Sequence, residues 1–199
     1  MRRIGVLAGG FNPVTRAHLA LVDAALAKVD EVVCVVPRVY PHKEFHGATL
    51  DERMEMLRAA SQRYRPLVTE GGLFLDIARE LRRDDPEAQF WFICGRDAAE
   101  RIITWDHGLP VERVLDEFQL LVAARQGPYN PPDHVRTRIQ ALPLDCDVDE
   151  ISSTEVRRRI AVGEPWEHLV PGTITELVRR IYGSSRPGPR RGSFSPRSE

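Results

Sequence analysis

The chain has 199 residues, 42% of them apolar, enough to bury one substantial core with at most a small added subdomain. A formal net charge of −1 argues against a bulk basic surface for nucleic acid, and no apolar run approaches the ~18–20 residues of a membrane span. The amino terminus enters a predicted strand almost at once, with no signal peptide before it, as expected of a cytoplasmic protein.

Short apolar runs alternate with amphipathic stretches along the chain. Strands are predicted at Arg3–Ala8, Glu31–Val36, Pro66–Glu70, Gln89–Cys94, Phe118–Ala123 and Leu142–Asp145. Helices are predicted at Arg16–Lys28, Leu50–Arg63, Leu73–Arg83, Arg96–Ile103, Thr154–Val162 and Gly172–Ile181. In the first helix Leu19, Val22, Leu26 and Val29 repeat at the spacing of one buried face. Continuous apolar strands such as "VVCVV" suit a sheet covered on both sides. Strand–helix alternation then gives an α/β fold, a doubly wound and mostly parallel sheet with helices on both faces. No internal repeat or linker divides residues 1–183, which are read as a single domain. Residues 184–199, "SSRPGPRRGSFSPRSE", are rich in Pro, Gly and Ser; four arginines and one glutamate give them +3, against −4 for the rest. With no apolar periodicity, they are read as a disordered basic tail. Cys34, Cys94 and Cys146 lack any C-x-x-C spacing and read as reduced thiols.

In such a sheet, ligands bind beyond the carboxyl ends of the strands, where strand order reverses. After the first strand stands "LAGGFNPVTRAH", Leu7 to His18. It has the place of a nucleotide-binding turn but spells neither G-x-G-x-x-G nor a P-loop. Gly9 and Gly10 allow a sharp turn and, with Phe11, a close backbone approach to a ligand. Thr15 suits the N-cap of the helix beginning at Arg16, which makes His18 the third helical residue. Hydroxyl and imidazole then sit over a helix start whose unpaired N–H groups and dipole attract anions. A capped helix with a polar histidine in its first turn accounts for the same residues. The second notable stretch is "ISSTEVRRRI", Ile151 to Ile160. Ser152 and Glu155 have capping-box spacing, but that leaves Ser153, Thr154 and Arg157 unexplained; together these suit a polyphosphate clamp at a helix N-terminus.

Together the two stretches resemble the nucleotidyltransferases related to class I aminoacyl-tRNA synthetases, which pair an early H/T-x-x-H turn with a late I-S-S-T-x-h-R helix, h being apolar. Segments between them narrow the resemblance to the nicotinate/nicotinamide mononucleotide adenylyltransferases. "PHK" at Pro41–Lys43 with "ATLDERMEML" resembles their P-P-H-K and H-R-x-x-M-L segments, and "FICGRDAAERIITW" their G-x-D run with a following tryptophan. "VAARQGPY" resembles their V-x-x-R-x-G strand end, and "LVPGTITELVRRIY" their closing helix. The match runs from Arg3 to about Gly183. Tyr40 replaces the first proline of P-P-H-K, and "GGLFLDIARELRR" lacks the Ser-Tyr-Thr common before the matching helix. That second departure makes Phe74 a candidate to alter the pyridine pocket.

The resemblance implies a Rossmann-like fold and transfer of the adenylyl group of ATP to a pyridine mononucleotide, with release of pyrophosphate. It implies that His18 and Thr15 donate to the α- and β-phosphates, and that Ser152, Ser153, Thr154 and Arg157 hold the β- and γ-phosphates. Lys43 and Arg53 are implied for the mononucleotide phosphate, Gly95 and Asp97 for the ATP sugar, Trp105 for stacking on the pyridine and Arg125 for steadying that nucleotide. From the residues alone, Arg53 is equally a solvated helix charge, Asp97 a helix cap and Trp105 a core residue. Mg²⁺ is implied by the polyphosphate chemistry, since no metal-ligand spacing occurs and His42, His46, His107, His134 and His168 are scattered. The implied partners are ATP and the mononucleotide, with no nucleic acid or membrane, and a homo-oligomer remains open. Three other readings are weighed: a superfamily member with another phosphate acceptor, a non-catalytic nucleotide-binding module, and a dehydrogenase. The last is disfavoured by the missing G-x-G-x-x-G and the missing acidic residue after the second strand.

Overall fold

The structure is a computed structural model and describes residues 1–39, 47–105, 107–123, 129–144, 148 and 150–183. Six apolar runs form the strands β1 (Arg3–Ala8), β2 (Glu31–Pro37), β3 (Arg65–Thr69), β4 (Gln89–Gly95), β5 (Gln119–Ala123) and β6 (Ile139–Ala141). All pair in parallel, in the order β3-β2-β1-β4-β5-β6. β1 lies at the centre, where Val6 faces Val33 of β2 on one side and Phe92 of β4 on the other.

The helices are α1 (Arg16–Leu26), α2 (Leu50–Ala60), α3 (Phe74–Asp84), α4 (Arg96–Thr104), α5 (Val111–Glu117), α6 (Ser153–Val162) and α7 (Thr175–Tyr182). Alternation along each strand divides the core into two layers. On β2, Val32, Cys34 and Val36 face the layer containing Val22 of α1, Leu57 of α2, Val156 of α6 and Val178 of α7. Val33 and Val35 face the layer containing Ile77 of α3, Ala99 of α4 and Leu115 of α5. Phe92 is fully buried in that second layer, a contribution of about 1.5–3 kcal/mol for such a side chain. The doubly wound α/β architecture expected from the sequence is therefore present. Among the described residues, no helix is long and apolar enough to cross a membrane.

Several boundaries differ from expectation for local reasons. The last strand lies at Ile139–Ala141, ahead of the expected Leu142–Asp145. The Leu142 N–H still pairs with the Val122 carbonyl at 2.9 Å, but Pro143 has no N–H with which to continue the ladder. α2 stops at Ala60, and the Ser61 hydroxyl accepts the Arg63 N–H in a local turn that replaces the last expected helical residues. α5, seven residues after Pro110, was not anticipated, being too short for a clear periodicity. The closing helix begins as a 3₁₀ turn, Gly172–Ile174, before continuing as α7. Cys34 and Cys94 are buried thiols, and burial pushes Cys94 up to about 12. Cys146 and the expected tail, 184–199, fall outside the described residues.

Candidate active site

Strand order reverses at β1, because the chain leaves it toward β2 and returns on its other side at β4. The loops following β1 and β4 therefore part company there and open a crevice above the sheet. The β1–α1 loop begins with Gly9, whose N–H donates to the Val35 carbonyl at 3.0 Å. Neither Gly9 nor Gly10 has a positive φ; the left-handed residue is Phe11, at φ 46°. The turn thus does not depend on glycine in the way expected. The Phe11 ring is buried and packs 4.9 Å from the His18 ring.

Thr15 is the N-cap of α1, and His18 is the third helical residue, as the spacing required. The Thr15 backbone N–H donates to His18 Nδ1 at 3.0 Å, and Thr15 Oγ1 lies 2.8 Å from the same nitrogen. This is the returning half of a capping box, with an imidazole in place of the usual Glu or Gln. It also selects a tautomer. An Nδ1 that accepts a backbone N–H carries no proton, so the neutral ring holds its proton at Nε2 and donates from there. Thr15 is fully buried, and its hydroxyl and N–H together orient the imidazole.

α6 brings its N-terminus onto the same loop. Ser152 caps the helix by accepting the Glu155 N–H at 3.1 Å. The Ser153 hydroxyl donates to the Pro13 carbonyl at 2.7 Å, and Arg157 Nη1 donates to the Asn12 carbonyl at 2.5 Å. Of the three successive hydroxyls, one caps, one ties the two helix starts together, and Thr154 stays exposed beside Arg157, with Oγ1 3.5 Å from Nη2. Ser152 and Ser153, both expected on phosphates, thus have protein partners of their own at the start of α6. The Glu155 carboxylate turns to Arg158 and Arg159, whose hydrogen bonds hold it down to about 2, instead of returning to Ser152.

Arg53 is only 5% exposed, and its Nη1 donates to the Gly10 carbonyl at 3.2 Å. It is not a solvated helix charge; it grips the loop. Gly95 is the N-cap of α4 and is exposed, with open space where a Cβ would stand. Asp97 is the second residue of α4, exposed, and does not cap the helix. Trp105 ends α4 and is 59% exposed, which removes the core reading. Phe74 stacks 4.5 Å from Phe92 and meets Phe118 edge-on at 6.1 Å, packing half-buried against the core layer under α3. Tyr40, Lys43 and Arg125 fall outside the described residues. Three of the scattered histidines are accounted for locally: His107 Nε2 lies 2.7 Å from the Ile102 carbonyl, His134 lies 4.0 Å from Glu112, and His168 lies 3.4 Å from Arg159.

Two contributors were missed. Asn12 is 4% exposed, and its Oδ1 accepts from the Tyr182 O–H at 2.5 Å and the Ala48 N–H at 3.3 Å. Tyr182 comes from the far end of the chain, in α7. A buried amide with several partners cannot be read from the triplet "FNP", although a polar residue directly ahead of a proline in a ligand loop was a visible signal.

A parallel sheet with two helix N-termini tied together over its switch point defines an α/β protein with the arrangement of a nucleotide-binding fold. A model of the cytidylyltransferase-like family matches residues 6–159, and the chain belongs to that family. A protein from Shouchella clausii, named "probable nicotinate-nucleotide adenylyltransferase", is 31% identical over 201 residues, covering 93% of this chain and 99% of that protein. One of the same name from Carboxydothermus hydrogenoformans is 28% identical, covering 88% and 94%. Among solved structures, the nicotinic acid mononucleotide adenylyltransferase of Plasmodium falciparum complexed with NaAD superposes with a TM-score of 0.71 at 18% identity. It covers 90% of this chain and 96% of that one, and supports the fold.

Proposed function

We propose that this chain transfers the adenylyl group of ATP to nicotinate mononucleotide, forming the dinucleotide and releasing pyrophosphate in NAD biosynthesis. The observation that carries the reading is the joining of the α1 and α6 N-termini through Ser153–Pro13 and Arg157–Asn12, with His18 held as an Nε2 donor beside them. Two helix starts present convergent N–H groups and positive dipole ends, the arrangement that suits a polyphosphate.

The acceptor's own phosphate oxygen is the nucleophile, so no covalent enzyme intermediate is needed. The protein has to place that oxygen in line with the α-phosphorus and stabilise the charge that builds as pyrophosphate departs. His18 Nε2–H donates to the α-phosphate, while Thr15 and Phe11 hold its ring. Thr154, the first N–H groups of α6 and Arg157 receive the β- and γ-phosphates. Arg53 acts one step back, by fixing the Gly10 carbonyl. Gly95 and Asp97 face the ATP ribose, with the Asp97 carboxylate accepting from sugar hydroxyls. Trp105 offers its open indole to the pyridine. Lys43 and Arg125 keep the mononucleotide roles that the family resemblance gives them.

The donors around the turn are N–H and O–H groups with a guanidinium, a set that fits phosphate oxygens. Among the described residues, no three of His, Cys, Asp and Glu come together. Mg²⁺, implied by the polyphosphate chemistry, would enter with the triphosphate and would neutralise β- and γ-phosphate charge there.

A pyrophosphate-release assay pairing ATP or CTP with nicotinate mononucleotide, nicotinamide mononucleotide and pantetheine phosphate tests the assignment. ATP with nicotinate mononucleotide is expected to give the highest kcat/KM. Preference for CTP, or for the pantetheine acceptor, would place the chain with another branch of its family. No release with any pair would leave a nucleotide-binding module.

A further inference from the structure

Four side chains from three helices converge on the short segment Gly10–Pro13. Arg53 of α2 takes the Gly10 carbonyl, Arg157 of α6 the Asn12 carbonyl, and Ser153 of α6 the Pro13 carbonyl. Each of these binds backbone. The fourth, Tyr182 of α7, instead binds the Asn12 side chain, donating its O–H to Oδ1 at 2.5 Å. The same Oδ1 accepts the Ala48 N–H, so one amide oxygen joins the β1–α1 loop, the entry to α2 and the last helix. The local backbone is shaped around this meeting. Gly47 has φ +109°, and a Cβ there would lie 3.2 Å from Tyr182 Cε1 and 3.3 Å from Asn12 Oδ1. A larger residue at position 47 would push the phenol and the amide apart.

We propose that Tyr182 is a positioning residue for adenylyl transfer, acting through Asn12 to hold the carbonyl against which Arg157 is aligned. This rests on the function proposed above. Tyr182 does not face phosphate itself; it stands behind Asn12. If Asn12 turns, its carbonyl turns with it, and Arg157 loses the anchor that directs the rest of its guanidinium toward departing pyrophosphate. Because charge on pyrophosphate builds between the ground state and the transition state, a misaligned Arg157 lowers kcat more than it raises KM. Burial pushes the Tyr182 phenol above its ordinary value, so it remains a donor across the working pH range.

Tyr182→Phe removes the O–H and keeps the ring against Gly47. The test is a cycle of Tyr182→Phe, Arg157→Ala and the double variant, reading kcat and both KM values by pyrophosphate release, with a melting curve for each. The single Tyr182→Phe variant is expected to lose about three- to tenfold in kcat, less than about twofold in either KM, and little in melting temperature. In the Arg157→Ala background the same change should cost less than about twofold, since the residue it acts through is gone. An equal loss in both backgrounds, or an unchanged kcat beside a lowered melting temperature, would overturn the proposal in favour of a purely structural tyrosine. Should the wild-type chain form no dinucleotide, the function fails on its own terms. Amide exchange across Asn12–Thr15 then decides whether Tyr182 positions this loop: faster exchange confined to that segment, with the melting temperature unchanged in Tyr182→Phe, upholds it, and unchanged exchange or a global increase with early melting rejects it.

Discussion

Replacing Trp105 by alanine separates substrate recognition from stability. The tryptophan is 59% exposed at the end of α4, so of the roughly 250 Å² that such a side chain presents, about 150 Å² remains in solvent. A pyridine stacked on one face would cover about a third of that, ~50 Å², contributing ~1.2 kcal/mol at ~25 cal/mol per Å². Ring–ring geometry adds ~1 kcal/mol, giving ~2 kcal/mol in all, or about thirtyfold in affinity. The mononucleotide KM, measured by pyrophosphate release at saturating ATP, should therefore rise by about that factor, while the ATP KM stays within about twofold. The melting temperature should barely move, because a buried tryptophan would cost ~3–5 kcal/mol and this one is largely in water. An unchanged mononucleotide KM in a stable variant would remove Trp105 from the pyridine site. Early melting with joint loss of both substrates would show that the indole supports the core instead.

His18→Ala should lower kcat by ~10²–10³ and leave the Kd of a non-hydrolysable ATP analogue within a few-fold, as for loss of a donor used mainly in the transition state; near-normal turnover in a folded variant would exclude the histidine from the chemistry. Glu155, held down to about 2 by hydrogen bonds from Arg158 and Arg159, contributes stability present above its ordinary 4.5 and lost as pH falls from there toward about 2. Glu155→Gln should accordingly melt below the wild type at pH 7, with the gap closing on acidification through that window; a gap that widens would contradict the assignment.

The sheet was legible because its strands carry their own signal. "VVCVV" is too uniformly apolar for a half-exposed strand, and Val32 to Val36 do alternate between two buried layers. β6 was misplaced because "ALPLD" reads as apolar, whereas the ladder depends on N–H groups and Pro143 lacks one. At the site, Thr15 and His18 were located correctly from capping logic, since N-cap and third-residue positions follow from spacing alone. What each side chain touches was less accessible. Arg53 resembles an exposed helix cation in sequence, and only its approach to the Gly10 carbonyl, 43 positions away, reveals its burial. Tyr182 and Asn12 meet across 170 positions, a pairing that no local pattern encodes.

Adenylyl transfer by direct attack of the mononucleotide phosphate fixes the stereochemistry at the α-phosphorus of ATP. The decisive measurement uses ATP made chiral there by sulfur substitution, with nicotinate mononucleotide as acceptor, and determines the configuration of the dinucleotide formed. A single in-line displacement between the α1 and α6 N-termini gives dinucleotide with inverted configuration. Retained configuration would demand a covalent enzyme intermediate for which this site has been given no nucleophile, and pyrophosphate release without dinucleotide would make the chain a hydrolase.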